Sequence, residues 1–165
     1  MIEPDATELN LVIRNINRDE LKRFLSRLVE IYFSAYRGLE KYAYESPEKV
    51  KKYINWLYRS DPKSFFVAFV NHQPVGFIGG NNNWFFAGKT YGEIHEIVVA
   101  PEFRGLGIAS KFLETELNYF NSCGQKIAGL WVGVTNEGAK KFYLKHGFKY
   151  RGTFGKWERW EKEIG

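Results

Sequence analysis

The stretch EIHEIVVAPEFRGLGIASKFLETEL, residues 93–117, joins three kinds of segment. It begins as an apolar, β-branched run with two acids and a histidine on it. It then passes through Arg104-Gly105-Leu106-Gly107 and continues as an amphipathic helix. A helix N-terminus presents four unpaired N–H groups and about half a positive charge. Glycines just before it let a bulky anion approach the backbone with no Cβ in the way. A pyrophosphate suits that geometry. The phosphate loop of nucleotide triphosphatases, G-x-x-x-x-G-K-S/T, is absent. The dinucleotide fingerprint G-x-G-x-x-G is nearly met by Gly105, Gly107 and Ser110, with a serine at its third small position. Taken alone, the turn points to a phosphate and leaves the ligand open.

The neighbouring segments supply a fold. Residues 10–16 alternate like a first strand, and Asn17 with Glu20 has the spacing of a capping box. Leu21, Phe24, Leu25, Leu28, Ile31, Tyr32 and Ala35 then recur at helical spacing. A second helix opens at Ser46-Pro47-Glu48 and closes at Ser60-Asp61-Pro62. Strands are predicted over 64–70 and 75–80, with 81–89 as the aromatic loop at the tip of a long hairpin that returns along 93–99. After a helix over 106–120 come a strand over 126–134 and a helix over 136–146 that stops at Gly147. Two closing strands span 148–153 and 157–164. This order predicts one domain over residues 1–165, an α/β fold with a mixed, mainly antiparallel central sheet and flanking helices. The crossover from residue 93 to 134 is predicted to be parallel.

Composition narrows the class. The chain has 165 residues, 44% of them hydrophobic and 18% aromatic, enough for a core and unlike a disordered chain. The Met1–Asp5 stretch has neither a basic nor an apolar leader region, and no run approaches the roughly 18 apolar residues of a membrane span. With Cys123 the single cysteine, no internal disulfide can form; together these features predict a cytoplasmic protein with no membrane partner. Cys123 itself reads as a turn residue. The formal charge of +5 favours anionic partners, but no block of like charges marks a nucleic-acid surface. His72, His95 and His146 lack metal-ligand spacing, so no metal is expected.

At the glycine turn the chain resembles the GNAT superfamily of acetyl-CoA-dependent N-acetyltransferases. The family signature, R/Q-x-x-G-x-G/A, is met by Arg104, Gly107 and Ala109, after a V-x-P strand end at Val99-Ala100-Pro101. The family's downstream Asn, Ala, Tyr and Gly-Phe correspond to Asn136, Ala139, Tyr143 and Gly147-Phe148. The resemblance implies the acyl-CoA N-acyltransferase fold and acetyl-CoA as co-substrate. It implies that backbone amides of Arg104, Gly105, Leu106, Gly107, Ile108 and Ala109 cradle the pyrophosphate. Ile97, Val98 and Val99 would pair with the pantetheine arm, Asn136 would touch it, and Tyr143 would be the general acid. Lys111, one turn further on, reads as a solvated helix lysine.

Such a reaction needs a neutral amine. With an amine pKa near 10.4, deprotonation at pH 7 costs about 4.6 kcal/mol, and a carboxylate or imidazole can take the proton. Family members differ in where that base sits. Histone acetyltransferases carry a glutamate at the position of Glu93, and one group of aminoglycoside acetyltransferases carries E-x-H, matching Glu93 and His95. Ribosomal-protein N-terminal acetyltransferases use a glutamate on the following strand, where this chain has Gly133. The resemblance therefore implies Glu93 as base, with His95 assisting it or orienting the substrate, and Glu96 reads as structural. Alternation puts Glu93 and His95 on one strand face and Glu96 on the other, until a bulge intervenes. An acid on this strand also has a plain alternative, pairing with a basic residue on a neighbouring one.

The resemblance implies an acceptor region near residues 36–56 and 81–90, which is aromatic and carries Glu40, Glu45 and Glu48. That pattern slightly favours a polyamine or amino-sugar over a peptide α-amine or lysine, by carboxylate and cation–π contact. It also suits a homodimer surface. The rival readings are an acetyl-CoA-binding protein without catalysis, a nicotinamide-dependent oxidoreductase and a nucleic-acid-binding module.

Overall fold

The computed structural model describes residues 9–165; the Met1–Asp5 stretch discussed above lies outside them. Its strands are β1 (Leu11–Asn15), β2 (Phe66–Val70), β3 (Gln73–Phe86), β4 (Lys89–Val99), β5 (Ile127–Gly133), β6 (Lys149–Phe154) and β7 (Trp157–Glu163). They form one seven-stranded sheet in the order β1-β2-β3-β4-β5-β7-β6. Every neighbouring pair is antiparallel except β4 and β5. The mixed, mainly antiparallel sheet is thus as expected, with the parallel pair where a helical crossover demands it.

The helices are α1 (Arg18–Ala35), α2 (Pro47–Ser60), α3 (Ile108–Ser122) and α4 (Glu137–Lys145). α1 starts at the expected capping box: Asn17 Oδ1 accepts from the Glu20 N–H, and Glu20 Oε1 accepts from the Asn17 N–H. Ser46 caps α2, with Pro47 in its first turn, where no N–H is missed. α1 and α2 cover one face of the sheet, burying Leu28, Ile31, Ile54, Phe65 and Phe77. α3 and α4 cover the other, with Phe112, Leu113, Phe120 and Phe148 at the centre.

One expected loop is strand. Residues 81–86 extend β3, 89–92 extend β4, and only Ala87-Gly88 turns, both at positive φ. The aromatics explain the difference. Trp84 packs edge-on against His95, and Phe86 packs against Tyr91 and Trp131, so the hairpin tip is tied to the sheet.

Candidate active site

Two irregularities in β4 create the site. First, β4 and β5 pair only over Gly92–Ala128, Glu93–Gly129 and Ile94–Leu130. Beyond that point the strands part, so the far end of β4 presents an unpaired backbone edge. A cleft of about 1190 Å³ opens there, lined by both strands. Second, Gly79 faces Glu96 and Gly80 faces Ile94, so His95 is an extra residue opposite β3. This bulge shifts the alternation by one. His95 and Glu96 consequently both point to the α1–α2 side. His95 lies edge-on to Trp56 and Trp84, while Glu96 meets Tyr36 and Tyr53.

Glu96 is the acid the bulge delivers to the cleft. Its side chain is only 8% exposed. Tyr36 donates to Oε2 at 2.6 Å and Tyr53 to Oε1 at 3.0 Å. Burial pushes the carboxyl up to about 7, and the two phenols oppose that shift. Both phenols are themselves pushed well up by burial and by Glu96, so they remain donors. Tyr143, from α4, lines the same cleft. Burial raises its phenol, and the Glu96 charge adds to the shift, so it holds its proton at neutral pH.

Glu93 sits elsewhere. It is 1% exposed, does not line the cleft, and forms a buried ion pair with Arg159 of β7. Its placement fits the pairing alternative and departs from the expected base. Arg159 lies over Phe86, Tyr91 and Trp131, with its Cζ at 4.6, 4.8 and 5.2 Å from the ring centroids. A Cβ on Gly129 would fall 2.1 Å from Arg159 Nη2, so only glycine leaves room for the guanidinium. His95 does line the cleft, but burial and the Arg159 charge lower its pKa to about 4, leaving the imidazole neutral. At Gly133 a Cβ would fall 2.3 Å from the Tyr42 ring, which takes the space an acid on this strand would need. Tyr42 is fixed there by its hydroxyl, 2.6 Å from Thr135 Oγ1 and accepting from the Thr135 N–H at 2.9 Å.

The glycine turn opens onto the cleft. Gly105 and Gly107 have φ of 81° and 79°, the left-handed region that disfavours a Cβ. Gly107 is the N-cap of α3 and supplies no side-chain cap, so the first N–H groups of this helix are free of one. A Cβ at either glycine would meet nothing within 4 Å, so the turn faces open space. Arg104, Ile108 and Ala109 line the cleft beside it, and Leu106 is half-buried against the α3 core. Ile97, Val98 and Val99 line the cleft along the free β4 edge. Arg104 Nη2 reaches the Ala35 carbonyl at 3.5 Å. Asn136 also lines the cleft, and its Oδ1 caps α4 by accepting from the Ala139 N–H at 3.2 Å. Lys111 and Cys123 are exposed. Among the described residues, no group of three His, Cys, Asp or Glu is arranged to hold a metal.

The sequence profile of the acetyltransferase (GNAT) family matches residues 25–148. The chain belongs to the GNAT family. An uncharacterized N-acetyltransferase of Methanocaldococcus jannaschii is 41% identical over 92% of this chain, which spans 66% of that relative's length. A Pyrococcus horikoshii protein of solved structure is 37% identical, with a TM-score of 0.85 over 94% of this chain and 99% of its own. The PaiA N-acetyltransferase of Thermoplasma acidophilum, solved with coenzyme A, shares the fold at 21% identity. Its TM-score is 0.69 over 93% of this chain and 99% of its own.

Within the GNAT frame, four important side chains escape a reading of motifs. Arg159, Tyr36, Tyr53 and Tyr42 come from segments outside the signature. Arg159 alone leaves a local trace, as the odd cation in the alternation of Trp157, Glu158, Arg159 and Trp160. The tyrosines fall within the aromatic segment 36–56 expected near the acceptor, where no motif assigns their hydroxyls a partner.

Proposed function

We propose that this chain is an acetyl-CoA-dependent N-acetyltransferase that passes the acetyl group directly to a primary amine within a ternary complex. The observation that carries this reading is the convergence of Glu96 and Tyr143 on one cleft, beside the uncapped start of α3 and the free edge of β4. The open turn at Gly105 and Gly107 fits a pyrophosphate, whose charge the α3 N-terminus favours. The backbone of Ile97, Val98 and Val99 offers the extended pantetheine arm a strand to pair with, and Asn136 flanks it. The coenzyme A held by the Thermoplasma relative supports the same assignment.

Glu96 serves as general base. A carboxylate that burial pushes up to about 7 titrates near neutral pH and is a better proton acceptor than an ordinary one. It takes a proton from the incoming ammonium, directly or through water. The amine nitrogen then attacks the thioester carbonyl, forming the amide bond as the carbon–sulfur bond breaks. Tyr143, kept protonated by burial, gives its proton to the departing thiolate, and the second proton that the nitrogen sheds on becoming an amide restores the phenol, directly or through water. Glu93 is the weaker candidate for base, because Arg159 holds its carboxylate outside the cleft lining. His95 acts as a neutral wall of the acceptor side.

The test is thiol release from acetyl-CoA against a panel of amines, with binding followed by calorimetry. Release with at least one amine, abolished in Glu96→Gln with acetyl-CoA binding intact, supports the assignment. Binding without release from any amine would leave a binding protein in place of an enzyme.

A further inference from the structure

Resting on the transferase reading, we propose that the acceptor is a monoamine carrying a carboxylate or phosphate near its amine, and not a polycation. Glu96 is the single acidic side chain among the residues lining the cleft. Once it receives the reacting amine, no carboxylate remains inside for a second ammonium group, and a buried unpaired charge is costly. The acids that suggested a polyamine do not supply one. Glu40 accepts from the Gly38 N–H, and Glu45 is paired with Lys49; neither they nor Glu48 line the cleft.

The mouth carries the opposite charge. A separate depression of about 400 Å³ shares Tyr44 and Tyr53 with the cleft and is bordered by Lys49, Lys52 and Trp56. The Trp56 ring lies near-parallel to Tyr53, at 14° and 6.3 Å, forming a flat wall along which an acceptor chain can lie. Across the mouth, Lys156 lines the cleft from the β6–β7 turn and donates to the Lys41 carbonyl at 2.6 Å. The Lys41 ammonium itself stands over the Tyr42 ring, 5.2 Å from its centroid. Lys49 is held by Glu45, whereas Lys41, Lys52 and Lys156 have no ion-pair partner among the described residues. An acceptor whose amine reaches Glu96 trails its next groups towards a rim that carries Lys156 at the cleft and Lys52 at the side depression. Such a rim attracts an anionic group and repels a second cation, most strongly at low ionic strength.

The experiment compares the peptides Ala-Asp-Glu, Ala-phosphoSer-Gly and Ala-Lys-Lys with spermidine, by thiol release at about 20 mM and about 300 mM salt. The expected kcat/KM for the two acidic peptides exceeds that for Ala-Lys-Lys and spermidine about tenfold at low salt, equivalent to about 1.4 kcal/mol. The ratio shrinks towards unity at high salt. The Lys52→Glu, Lys156→Glu double variant lowers or reverses the low-salt ratio. Whether the Asp-Glu or the phosphorylated peptide leads tells carboxylate from phosphate. Equal or better turnover of a polycation overturns the proposal. So does a double variant whose acetyl-CoA KM rises while the peptide ratio stays fixed, since the lysines then serve the co-substrate. Tryptophan fluorescence with CoA-loaded protein and the same peptides separates this from the transferase reading. Tighter binding of the acidic peptides without any thiol release removes the enzyme and keeps the anion preference. Thiol release with no charge preference does the reverse.

Discussion

Tyr36, just beyond the end of α1, donates a 2.6 Å hydrogen bond to Glu96 on the bulged segment of β4. The bond spans 60 residues of sequence and holds one oxygen of the carboxylate. Tyr53 completes the clamp from α2 on the second carboxylate oxygen. Each phenol favours the ionised form, against a burial that favours the neutral one.

Replacing Tyr36 by Phe removes a donor to the ionised carboxylate and so raises the pKa of Glu96. The acidic limb of the kcat/KM profile, expected near pH 7 from the wild-type carboxyl, should move to higher pH. Tyr53→Phe should move it the same way. A structural loss alone would lower the plateau and leave the limb in place, so the profile tells the two apart.

Glu96→Gln keeps the shape of the side chain and removes its basicity. We expect kcat to fall about a hundredfold or more, the range general-base catalysis supplies. The affinity for acetyl-CoA, measured by calorimetry, should stay within about twofold. A variant with full turnover would return the role to water or to His95.

Glu93→Gln tests a different property. It leaves the buried Arg159 guanidinium with Glu161, 3.1 Å from its Nε, as the remaining counter-charge, at a cost of up to about 3 kcal/mol. By the usual size scaling this lowers Tm by roughly 10 °C. The double variant Glu93→Leu, Arg159→Met should recover part of the loss, because it removes both fully buried charges and leaves Glu161 to Arg151. An undiminished Tm in Glu93→Gln would mean that the pair is not a stabilising contact.

The contrast between these two acids shows how far the sequence alone carries. The capping box of α1, the Ser46-Pro47 start of α2 and the glycine turn are local patterns, and the structure has each where spacing puts it. The sheet class follows from the order of the elements. A bulge, by contrast, is a single extra residue with no compositional mark. Without it, alternation sets Glu96 apart from Glu93 and His95; with it, His95 and Glu96 share a face. Arg159 is 66 residues from Glu93, so their pairing is a consequence of β5 lying between β4 and β7. Tyr53 lies in the aromatic segment expected near the acceptor, but nothing in its spacing shows that its hydroxyl meets Glu96. The aromatic loop tip was hidden for a related reason, since Trp84 and Phe86 find their partners only in three dimensions.

The same carboxyl makes stability depend on pH. Glu96 is held at about 7 in the folded chain, above its value of 4.5 when unfolded. The folded state thus binds more protons than the unfolded state between those values. Its contribution is fully present below about pH 4.5 and is lost as pH rises through about 7. The loss amounts to on the order of 3 kcal/mol for a shift of this size. Glu93 and Glu116 are also raised, so the overall profile mixes several acids. Subtracting the Glu96→Gln profile from that of the wild type isolates this one. Urea unfolding of both proteins between pH 5 and pH 8 should show the wild type losing more stability with rising pH than the variant. Parallel curves would mean that Glu96 titrates alike in both states, and that the tyrosine clamp fully offsets its burial.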